Sequence, residues 1–156
     1  MLQMIARVCA KMPVQLVISR GNWKGDSDSS GGVTFPDRTL VFDFAPQLPL
    51  LERAALMLNH GGNNSVIEAL ANGVPQVICP RSADQPGVAA RALRAGVALV
   101  HPFGNFSESR LRLVIERVLG EDVFRWKANH LKECLAKTGG SLGAASFIEQ
   151  TILASK

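Results

Sequence analysis

The chain has no tyrosine, and aromatic side chains make up only 6% of its 156 residues. Proteins that bind single-stranded nucleic acid stack bases on aromatic platforms, so no nucleic-acid partner is expected. Cysteine is also scarce. Cys9, Cys79 and Cys134 are odd in number, widely spread and contain no CxxC pair. That pattern points to a reducing, cytoplasmic location and away from a disulfide framework or a zinc site. No apolar run approaches the roughly 18 residues a membrane span needs. The opening "MLQMIARVCAKMP" lacks the basic start, apolar middle and small-residue cleavage site of a secretory signal. Two nucleotide fingerprints, GxGxxG and GxxxxGK[ST], do not occur, so no bound cofactor is implied.

What is present reads as one globular domain. The length suffices for a core, with 47% hydrophobic and 19% charged residues. The formal charge of +4 favours anionic partners only weakly, because its arginines and lysines are scattered along segments of helical spacing. Short apolar runs bounded by glycine and proline predict strands at Val14 to Ser19, Thr39 to Phe44, Ala55 to Asn59, Gln76 to Cys79 and Val97 to Val100. Helices are predicted from Leu2 to Lys11, after Pro46 through Arg53, from Ser65 to Ala71, from Pro86 to Ala95, and over most of Ser107 to Lys156 with breaks near Gly120 and "TGGSLG". The polar stretch "GNWKGDSDSSGGVTFPD" reads as a long loop. Alternating strands and helices imply an α/β class, with a doubly wound, Rossmann-like parallel sheet covered on both faces. Ligands of such sheets bind beyond the carboxyl ends of the strands.

The densest polar stretch, "NHGGNNSVIEALANG", lies at such a place. A helix N-terminus offers free N–H groups and the positive end of the macrodipole. Gly61 and Gly62 let an anion approach the backbone, Asn64 and Ser65 add donors, and His60 stands at the strand end. A second explanation is open. Ser65 and Glu68 also form the S-x-x-E pattern of a capping box, which needs no ligand. Residue spacing alone supports an anion at a helix end and nothing finer.

From Phe42 to Val100 the chain resembles the C-terminal, donor-binding domain of family 1 glycosyltransferases, which have the GT-B fold. The motifs AP-Q, HGG-N-S--EAL--GVP, P---DQ and AGV occur in order. "MPVQLVISRG" and "LKECLAKTGGSLGAASFIEQTI" extend the likeness to nearly the whole chain, so that residues 1–156 would form one nucleotide-sugar donor-binding domain. The resemblance implies a role for each matched residue. Phe44, where the family usually holds a tryptophan, stacks on the base. Ala45 offers its backbone to the base, and Gln47 lies beside base and ribose. His60, Gly62, Asn64 and Ser65 hold the diphosphate, and Glu68 holds the ribose hydroxyls. Asp84 and Gln85 hold the donor sugar, with a loop cap as their alternative reading.

The implied reaction moves a hexosyl group from a nucleoside-diphosphate sugar (a UDP-sugar or a TDP-sugar) to an acceptor. His60 and the helix end would stabilise the leaving diphosphate without a metal, since no DxD-like pair stands near this stretch. The family's acceptor pocket and general base lie in an N-terminal domain, and its first strand precedes the first helix. Neither matches any residue here. The expected partners are a nucleotide sugar and an N-terminal acceptor domain or partner subunit, with self-association through the uncovered sheet edge. Competing readings are a non-catalytic nucleotide-sugar-binding or docking module, one subunit of a split GT-B enzyme, and a related lipid-linked N-acetylglucosaminyl transferase.

Overall fold

The computed structural model describes residues 1–21, 35–105 and 107–154. Most of the glycine- and serine-rich stretch expected as a loop, and the last two residues of the expected C-terminal helix, lie outside these. The element order is α1 (Leu2–Ala10), β1 (Leu16–Ser19), β2 (Thr39–Phe42), α2 (Gln47–Leu51), β3 (Met57–Asn59), α3 (Asn63–Ala71), β4 (Gln76–Ile78), α4 (Gln85–Ala95), β5 (Ala98–Val100), a 3₁₀ turn (Phe103–Asn105), α5 (Glu108–Gly120), α6 (Asp122–Ala136) and α7 (Gly140–Ala154). Every strand pairing is parallel, as the alternation of apolar runs and helices predicts.

β4 is the middle strand of β3-β4-β5, and all three of its residues are buried. Side chains alternate across a strand. Val77 and Cys79 therefore enter one core with Ile5, Val8 and Cys9 of α1 and Leu111, Ile115 and Val118 of α5. Ile78 enters the opposite core with Val66 of α3, Val88, Ala89 and Ala92 of α4, and Ala128 of α6. Helices thus cover both faces. On the first face, Arg7 also donates to Glu108 at 2.8 Å, though both side chains are substantially exposed and such a pair adds little.

The sheet is divided. β1 pairs with β2, and β3 with β4, but no pairing joins β1 to β3. Yet Leu16 of β1 and Leu58 of β3 pack against the same core. In the doubly wound order 3-2-1-4-5-6 the first strand stands between the second and the fourth. The division falls at that place.

Several boundaries differ from the sequence reading: β1 begins at Leu16 rather than Val14, and β2 ends at Phe42 rather than Phe44. For two others the reason is visible. β3 begins at Met57 rather than Ala55. The carbonyls of Ala54 and Ala55 instead accept from the Arg125 guanidinium, which also donates to Gly73 O at 2.9 Å. α3 begins at Asn63 rather than Ser65, because Gly62 takes the capping position with extended backbone.

Candidate functional site at the carboxyl edge of the sheet

Parallel pairing brings together the ends of β1 and β2, and separately those of β3, β4 and β5. The Gln47–Glu68 bond links the two sets, and the turns after β2, β3 and β4 carry the residues in question. After β3 the chain runs Asn59, His60, Gly61, Gly62 and then enters α3. Gly61 has φ +87°, a conformation that disfavours any side chain. Space forbids one as well: a Cβ there would lie 2.9 Å from Ile78 Cγ2 and 3.2 Å from the Gln85 carbonyl oxygen. Gly62 is glycine for another reason. Its φ of −62° suits any residue, but a Cβ would lie 2.7 Å from His60 Nε2. The exposed imidazole therefore rests against Gly62, at the mouth of α3.

The first helical bond of α3 runs from Val66 N–H to Gly62 O at 3.1 Å. The N–H groups of Asn63, Asn64 and Ser65 have no helical acceptor and point out of the helix end. The helix end that the sequence reading offered to an anion is thus open, and the alternative explanation of a capping box is removed. Ser65 lies inside the helix, and no side chain caps its N-terminus. The capping box does not form. Glu68 instead accepts from Gln47 Nε2 of α2 at 2.5 Å, so the residues matched to the ribose are neighbours.

The other expected residues are placed as follows. Phe44 is 73% exposed just before α2. The Ala45 N–H donates to Ser19 Oγ at 3.2 Å, so one of the two backbone groups expected to face the base has a partner within the chain. Gln85 Oε1 accepts from the N–H groups of Arg81 and Ser82 at 2.8 and 3.1 Å and so holds the turn after β4. That is the loop-capping role, and it does not use the Gln85 amide hydrogens. Asp84 precedes α4 but makes no capping bond. Just before it, Ala83 has φ +56°, the single non-glycine residue with positive φ among those described. Such strain costs about 1–2 kcal/mol and lies immediately before Asp84. Among the described residues, no hydrogen bond joins Phe44 or Asp84 to the rest of the group. Beside the Asp84 turn, Pro80, Arg81, Pro86, Leu93 and Phe103 line an open cleft of about 490 Å³. The Arg81 guanidinium sits 5.3 Å from the centre of the Phe103 ring.

Sequence reasoning missed Asn59 and Gln76. Both are buried, and they bond to each other under the loop, Asn59 Nδ2 to Gln76 Oε1 at 2.8 Å. The available signal was a glutamine opening an apolar strand, between Pro75 and Val77.

Among the described residues no cluster of His, Cys, Asp and Glu could hold a metal ion, and no helix is long and apolar enough to cross a membrane. Burial raises the thiol pKa of Cys79 to about 12 and raises that of Cys9 too. All three cysteines are free, and Cys134 is the exposed one.

Comparison with known proteins places the chain. The family profile of the erythromycin biosynthesis protein CIII-like C-terminal domain matches residues 25–139. An uncharacterized UDP-glucosyltransferase, YojK of Bacillus subtilis (strain 168), is 32% identical over 145 residues, which are 93% of this chain and 35% of that protein. The solved glycotransferase of kitacinnamycin superposes with a TM-score of 0.84 at 27% identity, covering 96% of this chain and 38% of that one. Glycosyltransferase VinC, solved in complex with DTDP, superposes with a TM-score of 0.72 at 28% identity over 85% of this chain and 33% of that one. The chain thus spans about a third of the length of these relatives.

Proposed function

Given that the chain belongs to the CIII-like C-terminal domain family of glycosyltransferases, we propose that it is the donor-binding part of such an enzyme, holding a nucleoside-diphosphate sugar along its carboxyl edge. The observation that carries this reading is the arrangement along α3. Its open N-terminus lies under His60, and its second turn bears Glu68 bonded to Gln47. A diphosphate at the first and a ribose at the second are one helical turn apart, about 5.4 Å, a spacing that adjoining groups of one nucleotide can bridge. Phe44 stacks on the base, with the Ala45 carbonyl beside it. Asp84 and the Gln85 amide face the sugar.

In the reaction, negative charge grows on the leaving diphosphate as the glycosyl bond breaks. The N–H groups of Asn63, Asn64 and Ser65, the helix dipole of about half an elementary charge and His60 meet that charge in fixed positions. The helix end supplies the positive potential, and no metal ion enters the mechanism. The nucleophile's base and the acceptor pocket come from an N-terminal domain or a partner subunit. A split enzyme with this chain as one subunit is therefore a form of the same reading. The base is uracil or thymine; the DTDP complex of VinC supports including the second.

Magnitudes set the expected affinity. A charged group at a helix end gains up to about 2 kcal/mol, a charged hydrogen bond about 1.5–3 and a base–aromatic stack about 1–3. After an association cost of at least about 4 kcal/mol, the chain alone binds UDP or TDP with a Kd of about 1 mM and transfers no sugar. Calorimetric titration with each nucleotide, with and without EDTA, tests this. Binding that His60→Ala weakens and EDTA leaves unchanged supports the proposal. No binding of either nucleotide at millimolar concentration would favour a docking module without a donor site.

A further inference from the structure

We propose that Asn59 and Gln76 are positioning residues that fix the Gly61–Gly62 turn in its diphosphate-receiving form; the inference rests on the donor-site reading above. Gln76 is fully buried and Asn59 is 8% exposed. Their amides form a relay through the core. Gln76 Nε2 donates to the carbonyl of Val66 in α3 at 3.3 Å, Asn59 Nδ2 donates to Gln76 Oε1 at 2.8 Å, and Asn59 Oδ1 accepts from the Gly61 N–H at 2.7 Å.

The direction of this relay is forced. A backbone N–H can only donate, so Asn59 must present its oxygen to Gly61. Its amide nitrogen then faces Gln76, which must answer with oxygen, leaving the Gln76 nitrogen for a Val66 carbonyl that can only accept. Neither amide can flip without opposing two donors or two acceptors in a buried site. The relay therefore ties together the end of β3, the start of β4 and the first turn of α3. It also turns the Gly61 N–H inward, which holds φ at +87° and leaves the N–H groups that follow to face the ligand. An apolar residue at position 76 would fill the core at lower desolvation cost, but it would leave the turn without this restraint.

The test separates positioning from stability. Asn59→Thr and Asn59→Val are isosteric, and both remove the amide that faces Gln76. They differ in one hydroxyl, which threonine can offer to the N–H two residues on. The thermal midpoint of Asn59→Val is expected to lie below that of Asn59→Thr, because it leaves the buried Gly61 N–H without its acceptor, so affinities are compared at a temperature where both variants are folded. Affinity for UDP is expected to fall about tenfold in Asn59→Val and to recover largely in Asn59→Thr. Exchange of the Gly61 amide hydrogen in the unliganded chain should be faster in Asn59→Val than in Asn59→Thr or the unaltered chain. Asn59→Ser and Asn59→Ala give the same comparison if the branched pair fails to fold. The proposal is overturned if Asn59→Val binds UDP as tightly as the unaltered chain while His60→Ala does not. It is overturned equally if the paired variants lose affinity alike. Absence of UDP and TDP binding by the unaltered chain would remove the donor-site reading and the positioning role with it. Equal Gly61 exchange in all variants would remove the positioning role alone.

Discussion

Gln47 of α2 and Glu68 of α3, 21 residues apart in sequence, meet through a 2.5 Å bond from the amide nitrogen to one carboxylate oxygen. The bond orients the carboxylate and engages one of its two oxygens; the donor-site reading gives the second to a ribose hydroxyl. Under the donor-site reading, Glu68→Ala should weaken UDP binding at least tenfold, the value of one charged hydrogen bond. Gln47→Ala should weaken it less, because it removes only the orienting partner. A comparison of UDP with its 2′-deoxy form isolates the contact: the unaltered chain should prefer UDP, and Glu68→Ala should not distinguish them. An unchanged preference in Glu68→Ala would show that the carboxylate does not touch the ribose.

Gly62 offers a test of the His60 position. Its backbone tolerates alanine, and the clash that alanine creates is with the imidazole alone, at 2.7 Å. Gly62→Ala should therefore leave the thermal midpoint nearly unchanged while displacing His60 and weakening nucleotide binding. In a His60→Ala background the same substitution should do little further harm. Residues acting through one contact are non-additive, so full additivity of the two losses in a calorimetric double-mutant cycle would contradict the shared mechanism.

How much of this was legible beforehand follows from which forces act locally. The five strands and the helices of the first hundred residues announce themselves by apolar runs between glycine and proline. β4 is the clearest, because both of its faces are covered and every position is apolar except Gln76. The Glu68 partner was not legible. The S-x-x-E pattern satisfies a local rule, but Gly62 starts the helix two residues earlier and leaves Ser65 inside it. Gln47 then claims the carboxylate through a tertiary contact that sequence spacing does not encode. Asn59 stayed hidden for a similar reason. An asparagine at a strand end reads as a turn residue, and its buried partner stands 17 positions away. The motif resemblance supplied the ligand roles, which composition and spacing left at an anion site.

The cysteines give a prediction independent of any ligand. Burial disfavours the thiolate, so the Cys79 pKa rises from 9.0 to about 12 and that of Cys9 rises as well. At pH 8 a disulfide reagent such as 5,5′-dithiobis(2-nitrobenzoate) should titrate one thiol, Cys134, rapidly, and all three only after denaturation. The sign for stability follows from the raised folded-state values. The unfolded chain loses these protons first, so stability is fully present below pH 9 and falls as the pH rises toward 12. Cys79→Ala should flatten that alkaline decline relative to its own value at pH 7. Rapid reaction of two or more thiols in the folded chain would contradict the burial.

The divided sheet yields the last prediction. In a parallel ladder alternate residues direct their backbone groups to opposite neighbours. The Arg20 N–H bonds to Phe42 O, and the Asn59 carbonyl accepts from Cys79 N–H. By alternation, the backbone groups of Val17 and Ser19 in β1 and of Leu58 in β3 point away from these partners, into the division of the sheet. Open edges of this kind pair with other strands. α7 adds to the effect, with Leu142, Phe147, Ile148, Ile152 and Leu153 all more than half exposed. The isolated chain is therefore expected to self-associate, with a light-scattering mass that rises above the monomer value across about 10–200 μM, the concentration range in which exposed strand edges cause association. Val17→Pro removes a donor that β2 does not use, a placement that an edge strand tolerates. It should lower the association while leaving the β1–β2 pairing intact by circular dichroism. Deleting residues 140–156 separates the second contribution: association that persists without α7 but vanishes in Val17→Pro belongs to the sheet edge. A monodisperse monomer throughout that range would mean that neither surface is open to a second copy.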